Sequence, residues 1–151
     1  MKKNKVYKGS ILDSPIMFNK SYLKLSSFYF FYFSTLGVFL PFWPLYLNHI
    51  NFTPYEIGII TGAMIGTKII APNIWGWIAD KTGLRHRVIQ LGALSCFIIF
   101  LFISSVRSFP DMLLLIFFFS FFWNASLPQF EAVTMNTLGS SYNKYSQIRL
   151  W

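Results

Sequence analysis

The sequence predicts an all-α, polytopic membrane protein with four transmembrane helices. Composition is the first observation: 54% of residues are hydrophobic, 21% aromatic and only 12% charged, with a mean hydropathy of +0.48. A soluble domain carries about a quarter charged residues. The second is where the charges fall. Residues 25–55 and 88–106 carry no Asp, Glu, Lys or Arg, residues 57–79 carry only Lys68, and residues 112–138 carry only Glu131. A bilayer core of ~30 Å needs about 20 apolar residues per helix, and each stretch is long enough. The third is the placement of basic residues, which orients the helices.

Residues 1–24 form a basic tail with Lys2, Lys3, Lys5, Lys8, Lys20 and Lys24. The turn at 80–87 adds Lys81, Arg85 and Arg87, and the last stretch adds Lys144 and Arg149, whereas the intervening loops carry only Arg107. The positive-inside rule places both termini and the 80–87 turn in the cytoplasm. The net charge of +8 is then a topology signal and implies no nucleic-acid partner.

The four spans are expected at about 25–48, 56–79, 88–106 and 111–138, and residues 139–151 read as a loop and the start of a truncated fifth helix. The first stretch is too long for a signal peptide and lacks a small-residue cleavage site. Pro41 and Pro44 lie inside it and predict a bend near its outer end. Thr53-Pro54-Tyr55-Glu56 reads as an N-cap, a proline in the first turn and a capping-box glutamate, which starts the second span. Ser108-Phe109-Pro110-Asp111 does similar work for the fourth. Cys96 is the only cysteine, so no disulfide framework exists. Neither metal-ligand spacing nor a nucleophile–base motif occurs, so the chain is expected to be no enzyme and to hold neither metal nor cofactor.

The second span carries Gly58, Gly62 and Gly66 at intervals of four, and Gly76 and Asp80 return to the same face. Small residues at this spacing let another helix approach closely, either within this chain's own bundle or from outside it. Two charges lie at membrane depth. Lys68 sits mid-span, where an unpaired charge costs roughly 3 kcal/mol on insertion scales, so it should face a wet cavity or a carboxylate. Glu131 shares a helical face with Ser120, Asn124 and Pro128. This polar seam is either packed against a neighbouring helix or lines a cavity. With a fifth helix starting near Tyr145, Arg149 would lie at a depth where it could meet Glu131.

The dozen residues 76–87 carry a sharper signal. Gly76-x-x-x-Asp80-Lys81-x-Gly83-x-Arg85, set between two spans, resembles the loop between helices 2 and 3 of the major facilitator superfamily. Asn124-Ala125, Phe130-Glu131-Ala132 and Tyr145-Ser146-Gln147-Ile148-Arg149 are similar to helices 4 and 5 of its lactose-permease branch, as are Tyr22-Leu23-Lys24, Pro41-Phe42-Trp43-Pro44 and Gly83-Leu84-Arg85. Ala71-Pro72-Asn73-Ile74-Trp75-Gly76-Trp77 and Arg149-Leu150-Trp151 look more like the phenylpropionate-permease branch. Gln147 replaces a basic residue of the lactose-permease pattern, His86 stands where the loop motif usually has a second basic residue, and Lys68 is not a feature of that branch.

The resemblance implies the first part of the N-terminal six-helix half of a twelve-helix fold. It implies proton-coupled symport of a small organic solute, a sugar or an aromatic or other organic acid, across the bacterial inner (plasma) membrane. The proton would be the coupling ion. Glu131, Arg149, Asn124 and Lys68 would bind substrate, and Gly76, Asp80, Lys81, Gly83 and Arg85 would gate. The expected partners are the lipid bilayer, the small-molecule substrate and the missing C-terminal helices of the same transporter. The alternatives are a non-transporting four-helix remnant of a truncated gene and a subunit needing a partner chain.

Overall fold

The computed structural model describes residues 20–138, which form four helices: α1 (Lys20–His49), α2 (Pro54–Thr82), α3 (Arg85–Ile103) and α4 (Phe109–Leu138). The described residues contain no strand. Each helix is long and apolar enough to cross a membrane. Helix α1 starts at Lys20, earlier than the span expected from residue 25, because a helix can continue past the apolar part of its sequence. Helix α3 also lies earlier along the chain than the expected 88–106, since the turn before it is shorter than its polar sequence suggests. The expected fifth helix and the basic tail up to residue 19 lie outside the described residues.

Local chemistry sets the helix ends. Thr53 and Glu56 form the reciprocal capping box: the Thr53 N–H donates to Glu56 Oε2 at 2.8 Å, and the Glu56 N–H donates to Thr53 Oγ1 at 3.4 Å. The Asp111 N–H donates to Ser108 Oγ at 3.4 Å at the start of α4. Helix α2 stops at Gly83, whose φ of +68° is left-handed and whose N–H donates back to the Ala79 carbonyl at 2.9 Å. Only Gly adopts that conformation without a steric penalty. Leu84 alone then separates Gly83 from α3. Helix α1 remains one helix through Pro41 and Pro44, as α2 does through Pro72 and α4 through Pro128.

Helix α4 is the central post. The Trp75 indole N–H of α2 donates to the Phe121 carbonyl at 3.0 Å, and the Cys96 thiol of α3 donates to the Phe119 carbonyl at 3.4 Å. Tyr29 of α1 donates to Thr134 Oγ1 at 3.5 Å. Aromatic rings fill the α1–α4 seam: Phe28 stacks on Phe130, Tyr32 on Trp123, and Phe39 meets Phe119. Helices α3 and α4 come closest at Gly92, where a Cβ would lie 3.1 Å from the Phe122 carbonyl oxygen and 3.3 Å from Ser126 Oγ.

The burial pattern suits a lipid solvent. Phe31, Ile69, Phe97 and Trp77 face outward, while Thr67, Ser120, Ser126, Gln129 and Thr134 are buried. Hydrocarbon solvates apolar side chains as well as another helix does, so association rests on close packing and interhelical hydrogen bonds, and polar groups turn inward. Gly58, Gly62 and Gly66 lie over open space, with nothing within 4 Å of a built Cβ. Among the described residues, the stripe is therefore not explained by packing inside this bundle.

Candidate functional site

Two groups of predicted residues assemble at two depths. The first is a cavity of about 280 Å³ between α1, α2 and α4, lined by Trp43, Thr61, Lys68, Ser120, Trp123 and Asn124 with apolar neighbours. Lys68 and Asn124, far apart in sequence, share this wall. The Asn124 amide donates to Thr67 Oγ1 at 3.2 Å and to the Ser120 carbonyl at 2.8 Å. Thr67 was not anticipated; its position beside Lys68 in an otherwise apolar stretch was the signal. No Asp or Glu lines the cavity, and Lys68 has no ion pair among the described residues.

Three polar atoms of lining residues are buried without a hydrogen-bond partner: Trp43 Nε1, Thr61 Oγ1 and Ser120 Oγ. Trp43 is 5% exposed and Ser120 4%. A buried polar group normally finds a partner, and an orphan costs about 1–3 kcal/mol. The cluster makes this wall polar out of proportion to its depth. A larger cavity of about 800 Å³, between α1 and the α3–α4 pair, is lined mainly by rings such as Phe31, Phe97 and Phe100, with no charged residue.

Glu131 does not line the Lys68 cavity. It lies half-buried on α4, seven residues beyond Asn124 and hence ~10 Å along the axis. Arg149 lies outside the described residues. The structure therefore joins Lys68 to Asn124 and sets Glu131 at a separate depth.

The second group is the α2–α3 turn. Arg85 forms an ion pair with Asp80, and its other terminal nitrogen, Nη1, donates to Gln129 Oε1 at 3.0 Å. Gln129 is 2% exposed and lies on α4. The turn is thus tied to α2 through Asp80 and to α4 through Gln129. Gly83 supplies the left-handed reversal that brings Arg85 back towards Asp80. The Lys81 ammonium sits 4.9 Å from the centroid of the Trp77 ring, within cation–π range. Gly76 faces Gln129, with a built Cβ 3.9 Å from Nε2, an ordinary contact, so packing against Gln129 does not demand a glycine there. Gln129 was missed because the polar seam was followed through Ser120, Asn124, Pro128 and Glu131, which share another face of the helix.

Comparison with known proteins identifies the family. The model of the MFS_1-like family matches residues 22–151. The chain is 31% identical over 129 residues to the probable 3-phenylpropionic acid transporter of Escherichia coli (strain K12), an alignment that covers 82% of this chain and 32% of that protein. The chain thus spans about a third of that relative's length. No solved structure gives a significant match. Four apolar helices, the Gly76–Arg85 turn and the family match together establish that this chain belongs to the MFS_1-like family of the major facilitator superfamily.

Proposed function

We propose that this chain is the N-terminal portion of a proton-coupled symporter for a small organic solute, a sugar or an aromatic or other organic acid, in a bacterial inner membrane with both termini cytoplasmic. The observation that carries the reading is the cavity in which Lys68 and Asn124 converge at mid-membrane, above a turn whose Arg85 ties α2 to α4. Ionisable groups inside a membrane mark substrate and proton pathways. Lys68 and Asn124 bind solute in the cavity. Glu131, nearer the cytoplasmic end of α4, binds with Arg149. The turn built from Gly76, Asp80, Lys81, Gly83 and Arg85 gates the basic end. Alternating access requires one helical bundle to rock against another, and the exposed Gly58–Gly62–Gly66 face is where a second bundle would approach. The relative's printed substrate, 3-phenylpropionic acid, supports the organic-acid member of the proposed class.

The test is solute uptake into inverted and right-side-out vesicles carrying the longest transporter chain that contains these residues, with 3-phenylpropionate and lactose as probes. Saturable uptake of one probe, abolished by a protonophore, is expected. Uptake indifferent to the protonophore would remove proton coupling, and no saturable uptake of either probe would remove the transport reading. Arg149→Lys keeps charge but loses the two-pronged guanidinium, so it should lose most binding.

A further inference from the structure

Thr67 is 3% exposed and does not line the Lys68 cavity; it stands behind the wall, next to Lys68 on α2. Its hydroxyl carries one hydrogen, which is donated to the Met64 carbonyl at 2.8 Å. Towards α4, Thr67 Oγ1 can therefore only accept. The Ser120 carbonyl, 2.8 Å from the Asn124 side-chain nitrogen, can also only accept. These two acceptors decide which way the Asn124 amide is turned. With its nitrogen facing them, both N–H groups are used, at 3.2 Å to Thr67 Oγ1 and 2.8 Å to the Ser120 carbonyl. Reversed, the amide would set its oxygen against two oxygens with no hydrogen to give. An amide's orientation follows from such a network.

Asn124 Oδ1 is the atom left over. No described residue donates to it. Asn124 lines the cavity with Lys68, and the other lining side-chain oxygens, the Thr61 and Ser120 hydroxyls, both donate and accept. Asn124 Oδ1 is thus the one side-chain oxygen of this wall that can only accept. A solute hydroxyl satisfies it, and a solute without a donor leaves it unmet. We propose that Thr67 is a positioning residue of this site: by fixing the Asn124 amide it leaves Oδ1 to the solute, so the site favours a solute with a hydroxyl next to the group that Lys68 meets over the same solute without it. This rests on the reading of the cavity as a solute site and adds the feature by which the site chooses between solutes.

The test is tryptophan fluorescence of the purified 151-residue chain in lipid nanodiscs, since Trp43 and Trp123 line the cavity. The probes are 3-phenylpropionate, 3-phenyllactate, which adds one hydroxyl beside the carboxylate, and the methyl ether of 3-phenyllactate, which keeps that oxygen but has no hydrogen to donate. In the unaltered chain 3-phenyllactate should bind about two- to tenfold tighter than 3-phenylpropionate, the scale of one neutral hydrogen bond, and the ether no tighter than 3-phenylpropionate. Thr67→Val, close in shape but without the hydroxyl, should remove that preference, and Thr67→Ser should keep it. A merely structural role for Thr67 would weaken all probes together in Thr67→Val and leave their ratios unchanged, which overturns the proposal. Proton–nitrogen NMR supplies a readout without a solute. The Asn124 side-chain N–H pair, identified by its absence in Asn124→Asp, should exchange slowly with water in the unaltered chain and in Thr67→Ser, and faster in Thr67→Val; equal exchange in all three overturns the positioning role. Saturable quenching with equal affinity for the two acids in the unaltered chain overturns the proposal without any variant and leaves the solute site standing. Quenching by none of the three overturns both the proposal and the solute-site reading.

Discussion

Arg85 and Gln129, forty-four residues apart in sequence, meet at 3.0 Å, and this single contact ties the α2–α3 turn to the central helix. Arg85 is only partly exposed and Gln129 is 2% exposed, so the bond is shielded from solvent on the α4 side. A hydrogen bond to a charged group contributes about 1.5–3 kcal/mol. Gln129→Leu should destabilise the bundle by about that amount and lower its thermal midpoint in detergent. Gln129→Glu should hold or raise the midpoint, because the carboxylate accepts from the same guanidinium. In a double-mutant cycle, Gln129→Leu and Arg85→Ala should be markedly less than additive.

Gly83 is the second lever on this turn. Its φ of +68° penalises any side chain, by roughly 1–2 kcal/mol for ordinary L-residues. Gly83→Ala should cost about 1 kcal/mol in thermal unfolding, and Gly83→Asn less, because Asn tolerates the left-handed region. Equal midpoints for all three would mean that the turn relaxes to another conformation.

Two glycines in helices should respond in opposite directions. A Cβ at Gly92 would meet the Phe122 carbonyl oxygen at 3.1 Å, backbone of a neighbouring helix that cannot easily move. Gly92→Val should destabilise by about 1–3 kcal/mol through overpacking. Gly62 lies over open space, so Gly62→Ala in this chain should be neutral or stabilising by up to ~1 kcal/mol from helix propensity. Unfolding midpoints of the two variants in one detergent check the contrast.

Topology can be read by cysteine labelling. Asn51 and Ser108 are exposed at one end of the bundle and Gly83 at the other. With the turn cytoplasmic, a membrane-impermeant thiol reagent added outside should modify a cysteine at 51 or 108 and not one at 83. The native Cys96 is buried against the Phe119 carbonyl and should contribute little background. Labelling at 83 from outside would invert the orientation.

The helices were legible because membrane depth excludes charge, so gaps between Lys and Glu residues mark them directly. The capping box at Thr53 and Glu56 and the Gly83 reversal were legible because both are local chemistry. The partners of the turn were not. Gln129 and Arg85 meet only after α2, α3 and α4 have packed, and nothing in the residues around Gln129 sets its facing. The same holds for Gly92, a lone glycine whose importance lies in the Phe122 backbone opposite. Lys68 and Asn124 were each singled out, yet the cavity they share also depends on Trp43 arriving from α1.

The prolines inside three helices have a mechanical consequence. Each proline withholds an N–H from the carbonyl four residues earlier. For Pro44, Pro72 and Pro128 those carbonyls belong to Leu40, Lys68 and Asn124, one in each of α1, α2 and α4. All three residues line the same cavity. The hydrogen-bond ladder of every helix in that wall therefore lacks a rung at the level of Lys68. Stiffness is lowest around the cavity and rises towards both ends of the bundle, so bending of the wall concentrates where a bound solute would sit.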